Sequence, residues 1–221
     1  MIPPEQNAEF VCQMETVLEV YQREYHPDFP VVCLDEAMKQ LVQEFVEPIA
    51  MQPGQPRRED YKYERNGTAN LFMLCEPMIG WRQIEVTERR TAIDYAHLLK
   101  NLVDLYYPNV DVITVVQDNL NTHSPASLYK AFRPAEARRI LNHLDFCYTP
   151  KHGSWLNMAE IELSVLGRQC LDRRIAEFGL LQTEVMAWVK ERNQKRTWID
   201  WRFTTEDARV KLKRLYPSII D

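Results

Sequence analysis

Glycine is scarce: six residues (Gly54, Gly67, Gly80, Gly153, Gly167 and Gly179) are scattered along 221, against 13 prolines. Neither G-x-G-x-x-G nor G-x-x-x-x-G-K-[ST] occurs, which argues against a Gly-rich phosphate cradle and the dinucleotide or P-loop chemistry it serves. No G-x-S-x-G elbow is present either, so a serine-hydrolase site has no support. The five cysteines lie far apart with no C-x-x-C pair, which excludes a zinc knuckle and points to buried thiols in a reducing compartment. Apolar runs stay well short of a membrane span, and the N-terminus lacks the basic flank and apolar core of a signal peptide. A soluble cytoplasmic protein with no membrane partner is the expectation.

What is present is the composition of an ordinary globular chain, 45% hydrophobic and 27% charged. The net charge of −5 is unevenly spread: residues up to Pro150 carry −8 and the remainder +3. Any basic footprint for a nucleic acid is therefore local, in the stretch from Arg168 to Arg214, where a solvated helical face is the competing reading.

Periodicity predicts a helix over Glu5–Tyr25, then a short buried strand Val31–Glu36 with Asp35 at its end. The polar stretch Met51–Arg65, with two prolines and a glycine, reads as a long loop. Strands are expected at Asn70–Glu76 and Trp81–Thr87, a helix at Thr91–Tyr107, a strand at Val110–Val116 and a helix at Ser127–His143. A strand at Leu144–Tyr148 and helices over Ser154–Leu171, Glu184–Asn193 and Thr204–Tyr216 complete the chain. This order predicts an α/β fold, an RNase H-like mixed five-stranded sheet flanked by helices on both faces. Residues 1–30 read as an N-terminal linker helix and 31–221 as the domain proper.

Three acidic residues stand where polarity is costly: Asp35 and Asp118 at strand ends, and Glu160 in the helix after the last strand. An Asp at a strand end commonly caps a turn, but here the sheet would gather all three. Val31, Cys33 and Asp35 share one face by alternation, as do Val112, Thr114, Val116 and Asp118. Carboxylates brought together repel unless a divalent cation neutralises them, and hard oxygen ligands suit Mg²⁺ or Mn²⁺. Periodicity leaves the third carboxylate open, because Glu160 and Glu162 fall on opposite borders of one apolar stripe.

The segments Cys33-Leu34-Asp35-Glu36, Gln117-Asp118-Asn119-Leu120-Asn121-Thr122-His123 and Tyr148-Thr149-Pro150-Lys151-His152-Gly153-Ser154-Trp155-Leu156-Asn157-Met158-Ala159-Glu160 resemble the catalytic half of bacterial insertion-sequence-630 transposases, a group related to mariner. The resemblance spans nearly the whole chain. It implies an Asp-Asp-Glu triad of Asp35, Asp118 and Glu160, the last because the family's carboxylate follows an Asn by three positions, as Glu160 follows Asn157. Two departures are a spacing of 41 residues between Asp118 and Glu160, longer than in mariner relatives, and Gln117 where an aliphatic residue or Met is common.

The resemblance further implies two Mg²⁺ ions, replaceable by Mn²⁺, and cut-and-paste movement of double-stranded DNA into TA dinucleotides by a homodimer. Asn119 and His123 are expected to orient a phosphate or a carboxylate oxygen. Lys151, His152 and Ser154 are expected to contact phosphates ahead of Asn157, with Trp155 either stacking on a base or serving as core. Helix-turn-helix modules that precede this half in the family are not seen, so a separate helix-turn-helix polypeptide is a further expected partner. When bound to DNA the protein would be nucleoid-associated. The alternatives are a nuclease of the same fold without strand transfer, or a catalytically idle remnant.

Overall fold

The computed structural model describes residues 5–45, 51–56 and 62–218. β-Branched and aliphatic residues in strand order build one five-stranded sheet from β1 (Val31–Glu44), β2 (Tyr63–Glu76), β3 (Trp81–Thr87), β4 (Ile113–Gln117) and β5 (Leu144–Tyr148), arranged β3-β2-β1-β4-β5. β1 runs antiparallel to β2 and parallel to β4, and β4 runs parallel to β5. The mixed sheet expected from the element order is the one observed.

Alternation along the strands sends side chains to two apolar layers. Val31, Cys33, Val116 and Cys147 face helices α1 (Ala8–Tyr21), α5 (Met158–Gln169), α6 (Phe178–Gln194) and α7 (Thr205–Lys211). Val32, Leu34, Ile113 and Val115 face α2 (Ala92–Asn101), α3 (Ala126–Ala131) and α4 (Pro134–Asn142). Helix α1, expected as a linker, is capped by Asn7 and buries Phe10, Met14, Val17 and Leu18 in the first of these layers.

Several boundaries differ from expectation for local reasons. β1 does not stop at Glu36 but runs on to Glu44 beside β2, which begins at Tyr63 within the expected loop. Backbone pairing extends it where the side-chain pattern is no longer apolar. The single helix expected over Ser127–His143 is two, because Phe132 is extended and Arg133 precedes Pro134, whose ring disfavours a helical residue before it. The helix expected from Ser154 begins with a 3₁₀ turn, Ser154–Leu156, and restarts after Asn157. α2 continues into a π turn, Leu102–Tyr106.

The exposed edge of the sheet, β3, is closed by α6. Asn193 accepts a hydrogen bond from the Arg82 amide at 2.9 Å and donates one to its carbonyl at 2.8 Å, as a further strand would. Below it, the Arg82 Nε stands 3.0 Å from Glu162 Oε2, and Arg192 reaches Glu162 Oε1 at 2.8 Å. Arg82 and Glu162 are each 1% exposed, so β3, α5 and α6 share one buried ion cluster. The β2–β3 turn needs Gly80: its φ is +68°, and a Cβ there would stand 2.7 Å from the Arg196 carbonyl carbon.

Removing one partner from a buried charge cluster leaves the others uncompensated. Glu162→Gln is therefore expected to lower the unfolding free energy by ~3 kcal/mol, read as a lower urea midpoint. An unchanged midpoint would show that the cluster contributes nothing net.

Candidate active site

The geometry of the site follows from where parallel pairing stops. β1 and β4 pair as Val31↔Thr114, Val32↔Val115 and Cys33↔Val116. Two residues beyond that last pair, the same alternation puts Asp35 and Asp118 on the face covered by α1 and α5. Glu160 approaches from the first turn of α5. Asn157 fixes that approach: its Nδ2 donates to the Leu34 carbonyl at 2.8 Å, and its Oδ1 accepts from the Ala159 amide at 3.1 Å, capping α5. One side chain thus ties the start of the helix to the strand residue next to Asp35.

The Asp35 carboxyl responds to burial and to the charges of the other two carboxylates. Burial drives the Asp35 carboxyl up from its ordinary 3.8 to about 7; the Glu36 amide donating to Oδ1 at 2.7 Å pulls the other way, and the charges of Asp118 and Glu160 raise it again. Glu162 points elsewhere, into the cluster with Arg82 and Arg192.

His123 is fully buried. Its Nδ1 lies 2.5 Å from Asp118 Oδ1 and its Nε2 lies 3.3 Å from Glu36 Oε2. Tyr95 stacks on the ring with centroids 4.8 Å apart. Burial alone would lower the His123 pKa, but the bonds to the two carboxylates carry it up to about 9, which favours the charged form of the ring. Gln117 accepts from the Tyr95 hydroxyl at 2.7 Å and donates to the His123 carbonyl at 3.0 Å. A buried Gln at the end of β4 is therefore satisfied rather than out of place.

The remaining candidates separate by position. Asn119, Lys151, His152 and Ser154 line, with Asp118 and residues of α1, a cleft of about 440 Å³. His152 holds a left-handed backbone, φ +68°, in the tight turn closed by the Gly153 amide on the Pro150 carbonyl. Trp155 does not join them: it packs edge-on against Phe203, ring centroids 5.7 Å apart, in the apolar layer. Its 3₁₀ turn rotates it inward, so the base-stacking expectation gives way to packing. Glu36 and Arg90 were missed from sequence; Glu36 reads as the polar neighbour of Asp35, and only the structure shows it 3% exposed and paired at 2.8 Å with Arg90.

Asp118 is turned onto His123 and Asp35 onto its neighbour's amide. Among the described residues, no three acidic, histidine or cysteine side chains enclose a ready cage for an ion. The donor set nevertheless fits a hard divalent cation in chemistry: carboxylate oxygens, one of them driven toward protonation by burial and, less, by the charge of the others, gain most from added positive charge.

Residues 30–182 match the family model of the DDE superfamily endonucleases. The chain belongs to that family. No curated protein matches the sequence. Among solved structures it is similar to the Mos1 mariner paired end complex with Mn, at 17% identity and a TM-score of 0.58, over 90% of this chain and 60% of that one. It is likewise similar to the mariner Mos1 paired end complex with Mg (17%, 0.59, 99% and 66%) and to the Mos1 strand transfer complex (16%, 0.57, 89% and 63%). This DDE superfamily chain thus spans about 60–66% of the mariner chains it resembles, and the likeness establishes the RNase H-like fold.

Two predictions follow from the site's contacts. Asn157→Ala removes a buried hydrogen bond and a helix cap and is expected to cost ~2 kcal/mol of stability, while Asn157→Ser, which keeps a capping oxygen but loses the donor to Leu34, costs less. Chemical denaturation of both separates the two contributions. Because the folded-state pKa of Asp35 is raised, its contribution to stability is full below about pH 4 and is lost as pH rises through about 7. In metal-free buffer Asp35→Asn should therefore melt higher than wild type at pH 8, and the difference should shrink toward pH 4.

Proposed function

We propose that this chain is the catalytic domain of a transposase that cleaves double-stranded DNA and joins the freed end to a target. The reading is supported by the match to the DDE superfamily endonucleases, with Asp35 and Asp118 each two residues beyond the last pair of β1 and β4 and Glu160 in the first turn of α5. The similar Mos1 structures are paired end complexes with Mn or Mg and a strand transfer complex, which is the chemistry proposed for this chain.

Asp35, Asp118 and Glu160 would hold two Mg²⁺ ions, with Mn²⁺ as a substitute. Bound there, the ions would supply Lewis acidity and offset the charge of the scissile phosphate. The residues of the chain have separate tasks. Burial raises the Asp35 carboxyl, so positive charge beside it would favour its ionised, ligating form. Asn119, Lys151, His152 and Ser154 line the groove beside Asp118 and would hold the DNA backbone, with Lys151 supplying positive charge. Water first attacks the phosphorus and displaces a 3′-oxygen, leaving a 3′-hydroxyl. That hydroxyl then attacks a phosphodiester of target DNA, forming one P–O bond as another breaks. A TA step, flexible and easily bent, is the proposed target. A homodimer would pair two DNA ends, and a helix-turn-helix partner would supply sequence recognition.

Incubation of the chain with a labelled duplex carrying a pre-cleaved 3′ end, in Mn²⁺ or Mg²⁺, tests this directly. Nicked duplex and joined product are expected from wild type, with losses of at least a hundredfold for Asp35→Asn, Asp118→Asn and Glu160→Gln. Cleavage without joining would make the protein a nuclease of the same fold. Equal absence of product in all four would overturn the reading.

A further inference from the structure

β1 sends Asp35 to one side of the sheet and Glu36 to the other. Asp35 meets the carboxylates of the proposed site. Glu36 is buried on the opposite side, where its two oxygens are held separately: Oε1 by Arg90 at 2.8 Å and Oε2 by His123 Nε2 at 3.3 Å. The other nitrogen of the same ring holds Asp118 Oδ1 at 2.5 Å. The chain of contacts therefore runs from a half-exposed arginine, through a buried carboxylate and a buried imidazole, to the Asp118 carboxylate.

We infer that Glu36 and His123 are positioning residues for Asp118, fixing the orientation of its carboxylate from behind the sheet. The inference rests on the proposed metal-binding role of Asp118. The rest of the loop is arranged to hold the ring still. Tyr95 stacks on one face, the His123 carbonyl accepts from Gln117 and Tyr148, and Ser127 donates to the Thr122 carbonyl at 2.8 Å. Asp118 itself stands just past the end of β4, outside the strand ladder, and is one-third exposed. Left alone, such a carboxylate would sample several rotamers; the imidazole selects one and Glu36 selects the imidazole's position. Glu36 could serve as a mere partner for Arg90, but Arg90 reaches only one of its oxygens and leaves the other aimed at the ring.

Mn²⁺ binding by calorimetry tests the inference on the whole chain, comparing wild type, Asp118→Asn, Glu36→Gln and His123→Gln, each checked for a cooperative thermal transition. Partners behind a metal ligand typically govern affinity by ~10–100-fold. Expected is loss of binding in Asp118→Asn and a weakening of that order in Glu36→Gln and His123→Gln. Cleavage by the two positioning variants should recover as Mn²⁺ is raised, which a general structural defect would not allow. Wild-type Mn²⁺ affinity in a cooperatively melting Glu36→Gln, alongside loss in Asp118→Asn, overturns the positioning role and leaves the metal site standing. Equal binding by wild type and Asp118→Asn overturns both. Should Glu36→Gln fail to fold, Arg90→Gln takes its place: half exposed, it leaves the core intact, and it is expected to weaken binding severalfold, with no change counting against the inference.

Discussion

Repulsion among three carboxylates is the constraint around which this molecule is arranged. Burial above all lifts the Asp35 carboxyl from its ordinary range to about 7, and the charges of Asp118 and Glu160 add to that rise. A fold that imposes such proximity must offset its cost elsewhere. The parallel pairing of β1 with β4 sets the first two side chains on one face. The Asn157 bond to the Leu34 carbonyl brings up the third. Neither contact involves a net charge, and both oppose a force that would separate the strands' ends from the helix.

The charge is balanced in two unlike ways on the two sides of α5 and β1. Glu162, two residues from Glu160, is met by two arginines and becomes a rigid structural tie between β3, α5 and α6. Glu36, next to Asp35, is met by Arg90 and by His123, whose charged form is favoured. Adjacent acidic residues thus have opposite fates: one of each pair is neutralised by the protein, and the other is left facing its like-charged neighbours. That residual imbalance is what suits the site to a cation.

Much of the architecture was legible in the residues. The alternation of Val31, Cys33 and Asp35 against Val112, Thr114, Val116 and Asp118 anticipates both the parallel pairing and the shared face, because period two is a property of any strand. Leu144–Tyr148 is a strand in both accounts. The extension of β1 to Glu44 was not legible, since pairing with β2 supplies backbone hydrogen bonds that no side-chain pattern records. Nor was the break at Phe132, where the apolar period continues across a proline that ends the helix.

The choice between Glu160 and Glu162 shows where sequence stops. Periodicity places them on opposite borders of one stripe and leaves them equivalent; the resemblance favours Glu160, and the structure gives Glu162 to Arg82 and Arg192. His123 and Trp155 had two readings each, and the packed fold makes the one a buried bridge between two carboxylates and the other a partner of Phe203 against the apolar layer. Residue pattern and chain order were enough for the strands, the mixed character of the sheet and the acidic positions at the strand ends, all of which depend on local period; the order of strands across the sheet came from the fold. Only the tertiary structure decided which buried charge meets a partner, because partners such as Arg82, Arg90 and Arg192 arrive from distant segments whose approach is a property of the packed fold.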